Sequence, residues 1–147
     1  MIAVDTNVLV YAHRAEAPQH APALSWISYL AEGSGSWGIP MSCLTEFVRV
    51  VTHRKVFTRP STLEETIAWL KILLASPSVR ILCPSAAFAG HFFAELQHSE
   101  ACGNLVFDAQ IAAVCREHGV SRLLTQDRDF TRFRGLTLLD VRKPPPD

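Results

Sequence analysis

Apolar positions along this chain fall into two patterns, short continuous runs and stripes recurring every three or four residues, and the switches between them mark strands and helices. Ile2-Ala3-Val4 runs without a charge into Asp5, as a buried parallel strand ending at that carboxylate would. Residues 6–13 read as a short helix, stopped by the loop at 15–18. A second helix starts near His20, with Leu24, Trp26, Ile27 and Leu30 at helical spacing, and Gly33-Ser34-Gly35-Ser36 breaks it. A strand at 37–41 follows. Ser42 is then placed as N-cap of a helix whose Leu44, Phe47, Val48 and Val51 form one stripe, with Glu46 off that stripe in the first turn.

Thr62 and Glu65 have capping-box spacing ahead of a helix with a Leu63, Ile67, Leu70 and Leu74 stripe, which ends before Pro77. The remaining expectations are a strand at 79–82, a helix at 84–97, a loop at 101–103, a helix at 104–118 closed by Gly119, and strands at 122–125 and 136–139. Strands alternating with helices predict an α/β fold: three layers, with a mainly parallel five-stranded sheet between helices.

Composition adds limits. With 147 residues and 48% hydrophobic content, the chain suits one domain over residues 1–147, ending in a Pro-rich tail at about 143–147. The apolar start is too short for a secretory signal, and no run approaches the roughly 18 apolar residues of a membrane span, so a cytoplasmic protein without a membrane partner is expected. Cys43, Cys83, Cys102 and Cys115 include no C-x-x-C pair and read as reduced core thiols rather than disulfides.

The chemistry lies in the acids. Asp5 at a strand's carboxyl edge is either a site residue or the N-cap of the following helix. Glu46, Asp108 and Asp127 fall near the same edge. Each is tolerated locally at a helix start, but four together repel unless a divalent cation neutralises them, and an all-oxygen donor set selects Mg²⁺ or Mn²⁺ over zinc. Asp5, Asp108 and Asp127 are the candidate metal ligands, with Glu46 completing the candidate catalytic acids. Asn104, four residues before Asp108, either orients that carboxylate or caps the helix. Thr6 and Thr125 either bond the strand-end acids or serve turns. Asp127 and Asp129 compete for one role, Asp127 being nearer the strand end and Asp129 then an outer or capping residue.

The formal net charge is zero. If those five acids are neutralised by metal, nine of the fourteen remain against fourteen Lys and Arg, and the rest of the surface is basic by five. Arg49 and its neighbours Arg54, Lys55 and Arg59, and a second group from Arg128 and Arg132 to Lys143, are either a phosphate track or solvated loop charge. His98, Cys102, Cys115 and His118 have a zinc-like spacing, but Cys115 shares a stripe with Ile111 and His118 suits a helix C-terminus.

At these residues the sequence resembles the PIN-domain family, specifically the VapC-like toxins of type II toxin-antitoxin pairs. The matching pieces are Val4-Asp5-Thr6-Asn7-Val8-Leu9, Thr45-Glu46, Gly103-Asn104-Leu105-Val106-Phe107-Asp108-Ala109, and Leu124-Thr125-Gln126-Asp127-Arg128-Asp129-Phe130, which span nearly the whole chain. The resemblance implies sheet order 3-2-1-4-5, a Mg²⁺-dependent endoribonuclease acting on single-stranded RNA, a homodimer and an inhibitory antitoxin protein. It carries over Asp5, Glu46, Asp108 and Asp127 as metal-site acids. Arg49, Arg128 and Arg132 are the candidate RNA contacts. Trp69 and Trp26 are expected to be partly exposed for a partner. The alternatives are a PIN nuclease of RNA processing that is not a toxin, a Mg²⁺ phosphotransfer or phosphatase domain, and a non-catalytic nucleic-acid-binding module.

Overall fold

A computed structural model describes residues 1–146; Asp147, the end of the Pro-rich tail, lies outside the described residues. The strands are β1 (Ile2–Val4), β2 (Trp37–Pro40), β3 (Val79–Leu82), β4 (Arg122–Thr125) and β5 (Thr137–Asp140). The helices are α1 (Thr6–His13), α2 (His20–Glu32), α3 (Met41–Val51), α4 (Leu63–Leu74), α5 (Phe88–Ser99) and α6 (Leu105–Glu117), with a 3-10 helix at Arg128–Arg132. All four strand pairings are parallel and the sheet order is β3-β2-β1-β4-β5, as expected.

Burial on both faces explains why β1 and β2 are uniformly apolar, and β4 buries all but Arg122. Trp37, Ile39, Leu123 and Leu124 on the strands meet Leu9, Phe47 and Ala112 from the helices, and Phe130 and Phe133 close the core beside β5. The chain builds β2 and β3 on one side of β1, then crosses to β4 and β5 on the other. The point where strand order reverses lies between β1 and β4, where open α/β sheets form clefts at their carboxyl ends. Val4 pairs with Leu124 there, which sets Asp5 beside Thr125. α6 ends as its glycine foretells: Gly119 takes φ +65°, and the Val120 N–H reaches back to Cys115 O.

Several expectations are corrected. Pro40 holds the N-cap position of α3, so Ser42 lies inside the helix and Glu46 in its second turn. α5 starts at Phe88, after a turn at residues 86–87, rather than at Pro84. Cys83 and Cys102 are exposed, whereas Cys43 and Cys115 are core residues; all four are free thiols. The capping box on α4 is present, with Thr62 Oγ1 accepting from Glu65 N at 3.1 Å and Glu65 Oε2 accepting from Thr62 N at 2.8 Å. The α4 stripe faces the core only in its second half: Leu70 and Leu74 pack against the core beside the buried Thr66 and Leu73, while Leu63 and Ile67 are exposed. Trp26 is buried and donates Nε1–H to Lys143 O at 2.8 Å, so only Trp69 of that pair is partly open. Trp69 stacks near Phe47 and His13 and holds α4 to α3 and α1. Among the described residues no helix is long and apolar enough to cross a membrane.

Candidate active site

Asp5 follows β1 and is the N-cap of α1, so the two sequence readings of this residue coexist. Its Oδ1 accepts from Thr6 N at 2.7 Å, and its Oδ2 accepts from Asn7 Nδ2 at 2.6 Å and Thr125 Oγ1 at 2.7 Å. The thiol of Cys43 backs Oδ1 at 3.9 Å. Burial pushes the Asp5 carboxyl up to about 6; the bonds from Thr125 and Thr6 oppose that shift, and the charges of Glu46 and Asp127 add to it.

Thr125, at the end of β4, is the hub of the sheet edge. Its hydroxyl donates to Asp5 and accepts from Asn7 Nδ2 at 3.1 Å and from Asp127 N at 2.9 Å. Asn7 Oδ1 in turn accepts from Gln126 N at 3.3 Å. Asp127 therefore leaves the strand in a fixed direction and caps the 3-10 helix, its Oδ1 accepting from Asp129 N at 2.8 Å. The capping role is thus Asp127's, and the turn it makes brings Asp129 round to the same place. Carboxylate oxygens of Asp108, Asp127 and Asp129 all lie within 4.8 Å of one another.

Asp108 stands in the first turn of α6. Partial burial, followed by the charges of Asp127, Asp5, Asp129 and Glu46, pushes its carboxyl up to about 7. Glu46 is tied across the cleft: Thr6 Oγ1 donates to its Oε2 at 2.9 Å and Arg49 Nη2 to its Oε1 at 3.1 Å. Asn104 holds the N-cap position of α6, but its side chain makes no capping bond. These acids, with Thr6, Asn7, Arg49 and Asn104, line one cleft of about 750 Å³. Arg128 and Arg132 are exposed on the 3-10 helix and do not line it.

The cluster suits a divalent cation by its donor chemistry. Burial first, and the charges of neighbouring acids after it, raise Asp5 and Asp108, and the converging atoms of Asp108, Asp127 and Asp129 are hard oxygens. Two contributors escape sequence reasoning. Cys43 lies on the buried side of α3 and looks like an ordinary core residue. Asn7, which locks Asp5 to Thr125, carries a usable signal only in its place two residues after a strand-end acid.

The fold that carries this cleft is also found in known proteins. The PIN domain family model matches residues 2–136. Ribonuclease VapC43 of Mycobacterium tuberculosis is 39% identical over 136 residues, covering 92% of each chain. Among solved structures, M. tuberculosis VapC20, described as a sarcin-ricin loop cleaving toxin, superposes with a TM-score of 0.65 at 23% identity, covering 89% of this chain and 93% of its own. VapBC2 of Rickettsia felis, bound to a promoter DNA fragment, does so at 0.68 and 22%, covering 95% and 98%. The chain belongs to the PIN-domain family, among its VapC-like members.

Proposed function

We propose that this protein is a divalent-cation-dependent endoribonuclease that hydrolyses phosphodiester bonds of single-stranded RNA and acts as the toxin of a toxin-antitoxin pair. The observation that carries this reading is the convergence of Asp5, Glu46, Asp108, Asp127 and Asp129 on one open cleft. Asp108, Asp127 and Asp129 would hold the cation, with Asp5 behind them, and Mg²⁺ is the hard ion that such oxygens favour, Mn²⁺ the second. When bound, the cation lowers the pKa of a water and offsets charge developing on the phosphate.

The chain's own residues supply position. Three hydrogen bonds hold Asp5 rigid, Thr6 and Arg49 fix Glu46 on the opposite wall, and the half-exposed guanidinium of Arg49 can turn to a phosphate oxygen. No histidine lines the cleft, so a proton leaving the attacking water passes to a carboxylate or to solvent. Water attacks the phosphorus, the bond to the 3′-oxygen breaks and that oxygen takes a proton, leaving a 5′-phosphate and a 3′-hydroxyl. The phosphotransfer alternative is disfavoured: two residues after Asp5 stands Asn7, whose amide is committed to Asp5 and Thr125, and no lysine lines the cleft.

The antitoxin docks on α4, whose Leu63 and Ile67 on one flank and Ile72 on another are left in water, and the protein pairs with a second copy. Purified protein should cut single-stranded RNA with Mg²⁺ or Mn²⁺ and stop with EDTA. Asp5→Ala and Asp108→Ala should abolish cleavage while the fold survives. Undiminished cleavage by both variants would refute the assignment.

A further inference from the structure

The acidic cleft has a neighbour beyond Glu46. α6 turns Asn104, Asp108 and Ile111 toward the acids, and on its adjacent face Phe107, Gln110 and Val114 line a second cavity of about 480 Å³. Ser42, Thr45 and Arg49 of α3 form the facing wall. Glu46, Arg49, Phe107 and Ile111 border both cavities, so the two are neighbours across these side chains. Phe107 directly precedes Asp108 and is 66% exposed, a large ring that adds little to the core at the junction of the two spaces. Ser42 Oγ is buried with no hydrogen-bond partner among the described residues. The cavity volume falls in the range of small-molecule sites.

The donor set is specific in kind. An open aromatic face, the unpartnered Ser42 hydroxyl, the Thr45 hydroxyl, which donates to Ser42 O at 2.9 Å and is left to accept, a carboxamide able to donate and accept, and a guanidinium on the acid side match a base, its edge and its phosphate. We infer that this cavity is a nucleobase subsite, in which an unpaired base next to the phosphodiester held at the acids stacks on Phe107 while Gln110 and Thr45 meet its polar edge. The inference rests on the ribonuclease reading above. It makes unpaired RNA a requirement of binding, since a base held in a duplex cannot enter the groove. It also places a choice of base outside the acid cluster, at residues that touch no proposed metal ligand oxygen.

The test uses full-length protein in EDTA with a mixed-sequence single-stranded RNA carrying 2-aminopurine, followed by cleavage of a randomised RNA pool with Mg²⁺ or Mn²⁺. Phe107→Ala should weaken binding about five- to hundred-fold and remove the 2-aminopurine stacking signal, and Phe107→Tyr should restore both. Gln110→Ala should redistribute cleavage among flanking bases. If the parent cleaves but Phe107→Ala and Gln110→Ala cut the same sites with unchanged kcat/KM, the subsite is overturned and the ribonuclease stands. A loss in Phe107→Ala that Phe107→Tyr does not restore overturns it too. So does a change from dimer to monomer in Phe107→Ala with cleavage unchanged, which would give the groove to a second copy. Failure of the parent to bind or cut any RNA, with either cation, removes both readings.

Discussion

Asp108 and Thr125 show how single residues divide the work of this cleft. Asp108 carries a carboxyl raised to about 7, chiefly by burial and then by four neighbouring acids. Its unfolded-state value is near the ordinary ~4, so the folded protein keeps a proton that the unfolded chain has released. Stability from this residue is therefore lost as pH rises from about 4 to about 7, and the full cost is present above that. Because the side chain is only partly buried, screening reduces the effect to on the order of 1–2 kcal/mol. In EDTA, Asp108→Asn should melt several degrees above the parent near pH 8 and together with it near pH 4. Saturating Mg²⁺ should then stabilise the parent more than the variant. A lower melting temperature for the variant at pH 8 would mean that Asp108 supports the helix terminus rather than a cation site.

Thr125 acts in the opposite direction, because its bond to Asp5 lowers that carboxyl. Thr125→Val deletes the donor to Asp5 and leaves Asp127 N without its acceptor, at a cost of about 1–3 kcal/mol. It should also shift the acid limb of the pH–rate profile upward, since Asp5 then holds its proton to higher pH, while Thr125→Ser should restore the parent profile. An unshifted limb in Thr125→Val would confine Thr125 to the fold.

At the scale of elements, periodicity reported which face of a segment is apolar but not what covers it. The strands and most helix bounds were legible because β1, β2 and β4 lie in a sheet buried on both faces and the long helices complete several turns. The 3-10 helix Arg128–Arg132 is too short to show a period, so the turn that carries Asp129 to Asp108 and Asp127 was not readable. Trp26 looked marginal because its anchor, Lys143 O, lies at the far end of the chain. α4 was read only in part: Leu70 and Leu74 of its stripe pack against the core, whereas Leu63 and Ile67 open to water, and the outward face carries Ile72, 76% exposed. That outward face makes its own forecast. Ile72→Glu should leave stability within about 0.5 kcal/mol and RNA cleavage unchanged, as a surface change does. Cleavage by this variant should persist at antitoxin concentrations that silence the parent, and equal inhibition of both proteins would move the docking surface off α4.

For the whole molecule, zero net charge conceals a separation of sign. Five acids gather in the cleft, and the remaining surface is basic by five. RNA, whose backbone is uniformly negative, must therefore be drawn in by cations around the cleft and admitted to it only when the acids are offset. Among the described residues Arg49 is the one arginine lining the acidic cleft, whereas Arg128 and Arg132 stand outside it on the helix that Asp127 caps. A strand that crosses the acids from Arg49 and leaves along the 3-10 helix would pass all three. Each phosphate contact contributes roughly 0.7 to the slope of log K against log salt for a single strand. Arg49→Ala, Arg128→Ala and Arg132→Ala should each weaken binding to mixed-sequence RNA in Ca²⁺-free, Mg²⁺-free buffer and flatten that slope by about that amount, with near-additive effects for Arg49 and Arg132. Sequence preference should stay the same in all three, because phosphate contacts carry no base information. A flattened slope for Arg49→Ala alone would confine the strand to the cleft and assign Arg128 and Arg132 to solvated surface charge.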